Sequence, residues 1–162
     1  MSSAPSTDDA IAAVRTGDTD QLEALLNEGL DPDATDDRGY SLVMLAAYNG
    51  QPDTAALLLE HGASPDQPDP AGSTPLMGVC FKGYTAAAEV LIEHGADLDA
   101  TNDSGTTALM TAALFGQAEI AERLVEAGAD RSVTDDKGLT AAAIARRQGR
   151  EDLASLLAPD AE

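Results

Sequence analysis

The sequence predicts an all-α repeat solenoid, in which helix-turn-helix units stack on one another and are joined by β-hairpin loops. Three observations predict it. Glycines recur every 33 residues, apolar residues keep the same step, and aromatic residues make up only 3% of a chain that is 43% hydrophobic. A core of Ala, Leu, Val and Ile favours closely packed helices over a β-sandwich, which usually recruits β-branched and aromatic residues. Self-similarity at this period is the signature of a solenoid.

The glycines divide the chain into similar units. Twelve of the 14 glycines form three columns of four with a step of 33 residues. These columns are Gly29, Gly62, Gly95 and Gly128; Gly39, Gly72, Gly105 and Gly138; and Gly50, Gly83, Gly116 and Gly149. A leucine column keeps the same step at Leu25, Leu58, Leu91, Leu124 and Leu157. Each unit therefore carries glycines, which interrupt a helix, at the same positions.

The third unit shows how two helices fit between these glycines. Thr74 is a good N-cap residue and Pro75 suits the first helical position, so the first helix begins there. It ends at Gly83, which can adopt the left-handed conformation of a helix C-terminus. The second helix covers Thr85 to Glu93 and ends at Gly95. Asp, Asn and Gly between the helix pairs favour a tight turn, which predicts a finger-like hairpin loop.

The units of the chain follow, with variations, the pattern D-x-x-G-x-T-P-L-x-x-x-x-x-x-G…LL-x-x-G-A-D, in which T-P-L itself stands at residues 74–76. This pattern resembles the ankyrin repeat, and it covers nearly the whole chain at that family's period. The resemblance implies L-shaped units that stack into a slightly curved solenoid, with fingers and first helices on its concave side. We expect one domain over residues 3–158 and a tail at 159–162. Its units are an N-terminal cap at 3–35, complete units at 36–68, 69–101 and 102–134, and a closing unit at 135–158.

Two departures from the family pattern affect the first helices. The position where ankyrin repeats often carry His is occupied by Met44, Met77, Met110 and Ala143, so we expect apolar filling by Met in place of hydrogen bonding. Gly78 lies inside a predicted helix, where Gly costs roughly 0.5–1 kcal/mol relative to Ala. Gly78→Ala is therefore expected to stabilise the protein, unless the helix needs Gly for close packing.

The net charge of −20 arises from 29 acidic and 9 basic residues. Such a surface repels DNA and anionic membranes, so neither is expected as a partner. A partner protein with a basic surface is one expectation, and acidity that serves solubility alone is the alternative. No stretch approaches the ~20 apolar residues of a membrane span, and residues 1–14 lack the features of a signal peptide, which predicts a cytoplasmic protein. Cys80 lies in an apolar run and is expected to be buried.

The sequence contains no G-x-S-x-G, Walker-type loop or H-E-x-x-H motif. We therefore predict no enzyme activity, no catalytic residue, no metal site and no cofactor. His61 and His94 occupy equivalent positions, each just before a helix-ending glycine. Adjacent helices lie ~8–10 Å apart, whereas two imidazoles on one Zn²⁺ need nitrogens within ~4 Å, so a favourable contact with the helix C-terminus is the better interpretation.

Aromatic residues supply the candidate binding site, because the chain otherwise avoids them. The family resemblance places the ends of the first helices and the fingers in the concave groove. The predicted partner-binding residues are Tyr40, Tyr48, Phe81, Lys82, Leu114 and Phe115. Exposed aromatic anchors are typical of interface hot spots, and rings that pack on the neighbouring unit are the alternative. On the first interpretation, Tyr48→Ala and Phe81→Ala leave stability nearly unchanged.

These residues indicate a non-catalytic module that binds a folded partner protein through its concave face. A second hypothesis is an accessory factor that delivers or shields haem or a metal for a partner enzyme such as a catalase. It rests on the segments LAAYNGQPDTAALLLEHGA and CFKGYTAAAEVLIEHGA, which are similar to small free-standing bacterial ankyrin proteins. Some proteins of that type are associated with catalases.

Stacked units grow in one dimension, so we expect an elongated monomer. A compact globule of 162 residues has a radius of gyration of about 15 Å. Small-angle X-ray scattering should give a larger value at the monomer mass. A value at or below that of the globule would contradict the solenoid.

Overall fold

The computed structural model describes residues 3–160 of the chain, so residues 161 and 162 of the predicted tail lie outside the described residues. Ten short helices form within this range. They are α1 (Thr7–Thr16), α2 (Thr19–Asn27), α3 (Leu42–Tyr48), α4 (Pro52–Glu60), α5 (Pro75–Lys82), α6 (Thr85–Glu93), α7 (Ala108–Phe115), α8 (Ala118–Glu126), α9 (Ala141–Arg147) and α10 (Glu151–Leu157).

The helices form two layers. The first helices of the pairs stack in chain order from α1 through α3, α5 and α7 to α9, and the second helices stack in the same order from α2 to α10. Small and branched aliphatic side chains fill the space between the layers, where Ala46, Ala47, Ala112 and Ala113 are fully buried. Alanine at these positions lets the helix backbones approach closely. The predicted all-α repeat fold is confirmed.

The helix ends follow the local sequence. The Thr74 hydroxyl accepts the Met77 N–H at 3.4 Å, and Pro75 is the first residue of α5. Gly83 ends that helix at φ +81°, a conformation that costs glycine little. At the start of α7 the Thr107 N–H approaches the Met110 sulfur at 3.5 Å. A weak hydrogen bond therefore remains at a position where we expected only apolar filling.

The fingers are tight turns, and the predicted β-hairpin is not confirmed. Between residues 3 and 160 the only bridge is an isolated antiparallel one between Thr35 and Ser41. In the first finger, Asp36 Oδ1 accepts the N–H groups of Arg38 at 2.9 Å and Tyr40 at 3.0 Å. Equivalent pairs of bonds are made by Asp69, Asn102 and Asp135.

A second set of carboxylates joins consecutive units. Asp33 Oδ1 accepts the Ser64 N–H at 2.7 Å, although the two residues are 31 positions apart in the chain. Asp66 and Asp99 repeat the contact in the next two units, each at 2.8 Å. Hydrogen bonds to a charged acceptor are shorter and stronger than neutral ones. Each carboxylate therefore aligns the turn of the following unit with its own.

The glycines just after the first helices lie directly beneath side chains of the next unit. A Cβ atom on Gly83 would lie 2.8 Å from the Gln117 side-chain amide, so no larger residue fits without displacing Gln117. In the same way Gln51 lies over Gly17, Tyr84 over Gly50 and Arg150 over Gly116. The N-cap residue of each second helix from α4 to α10 thus covers the C-terminal end of the first helix in the preceding unit.

The Asp36 carboxylate gives the first finger a measurable pH dependence. Burial alone would raise the pKa of Asp36, but the N–H groups of Tyr40 and Arg38 and the Arg38 guanidinium lower it below the ordinary value of 3.8. A lowered folded-state pKa means that the carboxylate stabilises the fold above the ordinary pKa, and that this stabilisation is lost as the pH falls through the lowered value.

We therefore expect the stability difference between wild type and Asp36→Asn to be constant at neutral pH and to shrink below about pH 4. The asparagine should preserve the turn, because Asn102 accepts the equivalent two N–H groups in a later finger. Denaturant unfolding between about pH 7 and pH 3 measures this difference. Asp37→Asn, at the exposed neighbouring position, is the matched control. A difference that does not change with pH would contradict the role of the Asp36 charge.

Candidate functional site

Three of the predicted site residues form an exposed apolar patch at the ends of α5 and α7. Phe81, Leu114 and Phe115 are 48%, 43% and 42% exposed, and we call these three side chains the apolar patch. The rings of Phe81 and Phe115 meet edge to face, with centroids 4.8 Å apart and an interplanar angle of 84°. Stacking of α5 on α7 brings the two helix ends together. Each ring thus holds the other in place while one side stays open to solvent.

Lys82 extends the patch with a positive charge. It is the last residue of α5 and is exposed, and its Nζ lies 5.9 Å from the centroid of the Phe81 ring. An exposed cation over an aromatic face is worth roughly 0.5–1 kcal/mol. The ammonium group therefore stays near the ring and borders the patch.

Tyr40 and Tyr48 are packed differently, and both are only partly exposed. Their rings meet edge to face at 6.2 Å, and the Arg38 guanidinium carbon lies 5.1 Å above the Tyr40 ring. Burial raises the pKa of the Tyr48 hydroxyl, and the charge of Asp69 and the neighbouring Tyr40 raise it further. With Arg15 and Asn49 among the other lining residues, the two tyrosines border a cleft of about 490 Å³.

Gly78 explains why Tyr48 is less exposed than its equivalent Phe81. A Cβ atom on Gly78 would lie 3.2 Å from Tyr48 Cζ, so the tyrosine ring rests against the bare backbone of α5. The corresponding position in α7 is Thr111, which offers no such space to Phe81. Because Tyr48→Ala would remove this packing, we expect it to lower stability, in place of the unchanged stability expected from sequence. The expected gain from Gly78→Ala also depends on that ring.

Tyr84 is an exposed aromatic residue that the sequence interpretation did not include. It is 37% exposed, and its ring lies 3.1 Å from the position of a Cβ atom on Gly50. The sequence signal that could have indicated its exposure is its place directly after Gly83. Other units carry the polar residues Gln51, Gln117 and Arg150 at this position. Tyr84 covers a helix end of the preceding unit and lies outside the apolar patch.

The histidines contact helix C-termini. His61 Nδ1 lies 2.9 Å from the Leu57 carbonyl oxygen, and His94 Nδ1 lies 2.8 Å from that of Val90. No group of three or more His, Cys, Asp or Glu side chains that could hold a metal occurs in residues 3–160. Cys80 is fully buried, and burial raises the pKa of its thiol strongly.

Stacked helix pairs, tight fingers and an exposed apolar patch define a repeat scaffold. Residues 10–102 match a family model described as ankyrin repeats (3 copies), and residues 91–145 match one described as ankyrin repeats (many copies). The first match alone covers more than half of the chain, so the chain belongs to the ankyrin-repeat family. Ankyrin repeats are generally protein–protein interaction modules and typically non-catalytic scaffolds. The comparison with curated proteins gave no match.

No helix in residues 3–160 has the length and apolar character needed to cross a membrane.

The contact between Tyr48 and Gly78 predicts a non-additive pair of substitutions. In a Tyr48→Ala background, Gly78→Ala should stabilise the protein by about 0.5–1 kcal/mol, because only the helix propensity changes. In the wild-type background the gain should be smaller or reversed, because the new methyl group displaces the ring. Denaturant unfolding of wild type, the two single variants and the double variant completes this double-mutant cycle. Equal gains in both backgrounds would show that the ring does not depend on Gly78.

Proposed function

We propose that this chain is a non-catalytic interaction module that binds a folded partner protein through its first-helix face. By this name we mean the surface formed by the fingers and by the last turns of α1, α3, α5, α7 and α9, which the family resemblance places on the concave side. The apolar patch is the observation that carries the proposal. Three of the four exposed large hydrophobic side chains in residues 3–160 are neighbours there. Exposed apolar clusters rimmed by polar groups mark interaction sites.

The geometry of the patch suits a binding anchor. Aromatic rings offer a large contact area with few rotatable bonds, and the edge-to-face contact of Phe81 and Phe115 restricts them before a partner arrives. The helices beneath them are held by buried side chains such as Val79 and Ala112. A partner would therefore order few groups on binding, which lowers the entropic cost of association.

The six proposed contact residues would contribute unequally. Phe81, Leu114 and Phe115 are the anchors in this proposal, and Lys82 is a charged group at their rim. Tyr40 and Tyr48 are partly buried, so only part of each ring is free to meet a partner. Their larger role is to shape the cleft beside α1 and α3.

A monomer of five units over residues 3–158, a cytoplasmic location and a basic partner surface stay predictions from sequence. The alternative function in haem or metal delivery also stays a prediction, and no contact in the described residues favours it.

We expect Phe81→Ala to weaken binding by more than it lowers stability. Truncation at a hot spot costs roughly 2 kcal/mol, or about thirtyfold in affinity, whereas loss of the edge-to-face contact with Phe115 costs roughly 0.5–1.5 kcal/mol of stability. The partner is first recovered from the native host by affinity purification and mass spectrometry, and then titrated against each variant.

The matched control is Glu122→Ala, at an exposed position on α8. Glu89 is less suitable, because its carboxylate accepts the Arg123 Nε–H at 2.9 Å. If Phe81→Ala unfolds the protein and binding follows only the folded fraction, the ring belongs to the core and the proposed face is wrong.

A further inference from the structure

The basic residues that lack a carboxylate partner are concentrated on the first-helix face. Arg38, Arg123, Arg131 and Arg146 lie within 4.0 Å of a carboxylate in the described residues. Arg150 instead reaches the Leu114 carbonyl at 3.4 Å. The remaining four are Arg15, Lys82, Lys137 and Arg147, for which no ion pair forms between residues 3 and 160. All four are exposed, in a chain with 29 acidic residues.

These cations adjoin the apolar surfaces of the same face. Arg15 lines the cleft of about 490 Å³ together with Tyr40 and Tyr48. Lys137 and Arg147 line a second cleft, of about 280 Å³, together with the patch residue Leu114 and others. Lys82 lies between them in the stack, beside the Phe81 ring. Positive charge thus accompanies apolar surface at both ends and in the middle of the face.

In residues 3–160 the acidic side chains of this surface are confined to α1 and the fingers, and Asp8, Asp36 and Asp37 line a groove with Arg15 and Arg38 at its N-terminal end. No Asp or Glu occurs in α3, α5, α7 or α9. In the fingers, Asp36, Asp69 and Asp135 accept backbone N–H groups. The exposed finger acids are Asp37, Asp103 and Asp136. Asp103 and Asp136 lie against the neighbouring fingers, since each Oδ1 is 2.8 Å from the place of a Cβ on Gly72 or Gly105.

The second helices carry the opposite charge. Every one of them contains at least two acidic residues, among them Glu119, Glu122 and Glu126 of α8. The net charge of −20 therefore describes the second-helix side and the turns better than it describes the first-helix face. The expectation of a basic partner surface rests on the net charge alone, which does not describe the charge of the first-helix face.

We propose that the first-helix face binds a segment of the partner protein in which carboxylates flank apolar side chains. This inference rests on the function proposed above and adds the chemistry of the partner. The apolar side chains would cover Phe81, Leu114 and Phe115, and the carboxylates would meet Lys82 and the cations of the two clefts. Charge complementarity of this kind selects partners and sets their register more than it adds affinity.

The stack sets the length of the segment. Four steps of roughly 8–10 Å separate α1 from α9, which gives about 32–40 Å. An extended chain advances ~3.3 Å per residue, so about 10–12 residues reach from the cleft at Arg15 to the cleft at Arg147.

The test is a selection from displayed random peptides of about 12 residues, the length needed to span the face. The library is selected in parallel on wild type, Phe81→Ala and Lys82→Glu. We expect the peptides enriched on wild type to contain more Asp and Glu than Lys and Arg, together with Phe, Leu or other large apolar residues. One enriched peptide is then synthesised and titrated against all variants.

Lys82→Glu and Arg147→Glu should each weaken binding of that peptide by about tenfold or more, and the neutral Lys82→Gln by less. The control protein carries Gln21→Glu and Ala86→Glu at exposed positions of α2 and α6, so its net charge equals that of Lys82→Glu. Its affinity should match that of wild type. Thermal melts of each variant separate loss of contact from loss of a favourable charge at a helix C-terminus.

The two proposals fail in different ways. Enriched peptides that need Phe81 but are neutral or basic, or that bind Lys82→Glu as well as wild type, would overturn the acidic partner and leave the binding face standing. Enrichment that is equal on wild type and Phe81→Ala, or no enrichment at all, would overturn this inference, and the binding face is overturned only if Phe81→Ala also leaves the affinity for the recovered folded partner unchanged.

Discussion

Hydrogen bonding of aspartate to the backbone is the interaction on which the rest of this structure depends. The ten short helices of residues 3–160 leave many turns, and buried or half-buried backbone N–H groups must find acceptors. Aspartate supplies them, because its short side chain reaches the backbone of its own turn or of the next unit. Within the described residues, ten of the 19 aspartates accept at least one backbone N–H, namely Asp18, Asp31, Asp33, Asp36, Asp66, Asp69, Asp97, Asp99, Asp130 and Asp135. Much of the acidity of the chain is thus part of its architecture.

This arrangement shapes the surface that meets other molecules. Because the turns hold their own carboxylates, the first helices are free to carry Ala, Leu and Met for stacking. At their last turns the stacking ends, and the side chains there are aromatic, aliphatic or basic. The apolar patch and the cations beside it follow from this division of roles between turns, first helices and second helices. A surface built on rigid helices keeps its shape before and after binding.

Contacts between neighbouring units keep the repeat length uniform. The Asp33 column reaches a backbone N–H 31 positions further on, and the column of Gln51 and Tyr84 covers a glycine 34 positions back. An insertion of one residue in a unit would move both sets of contacts out of line. Units that carry these contacts therefore share one length, whereas single side chains at the ends of the first helices can differ between units.

The sequence by itself determined the helices and their ends, because caps, glycines and apolar spacing act through neighbours in the chain. The helix from Pro75, the stop at Gly83 and the buried Cys80 follow from such local signals. Tertiary structure decided how exposed the aromatic side chains at the helix ends are, which local signals do not determine. Tyr48 and Phe81 occupy equivalent positions, yet Tyr48 packs on Gly78 of the next unit while Phe81 meets the larger Thr111 position and stays exposed. The Asp36 hydrogen bond to the Tyr40 N–H, by contrast, joins residues four positions apart in one finger, so it depends on local sequence. The difference between Tyr48 and Phe81 depends on which group of the next unit is nearest in space, and that distance exists only once the units are stacked.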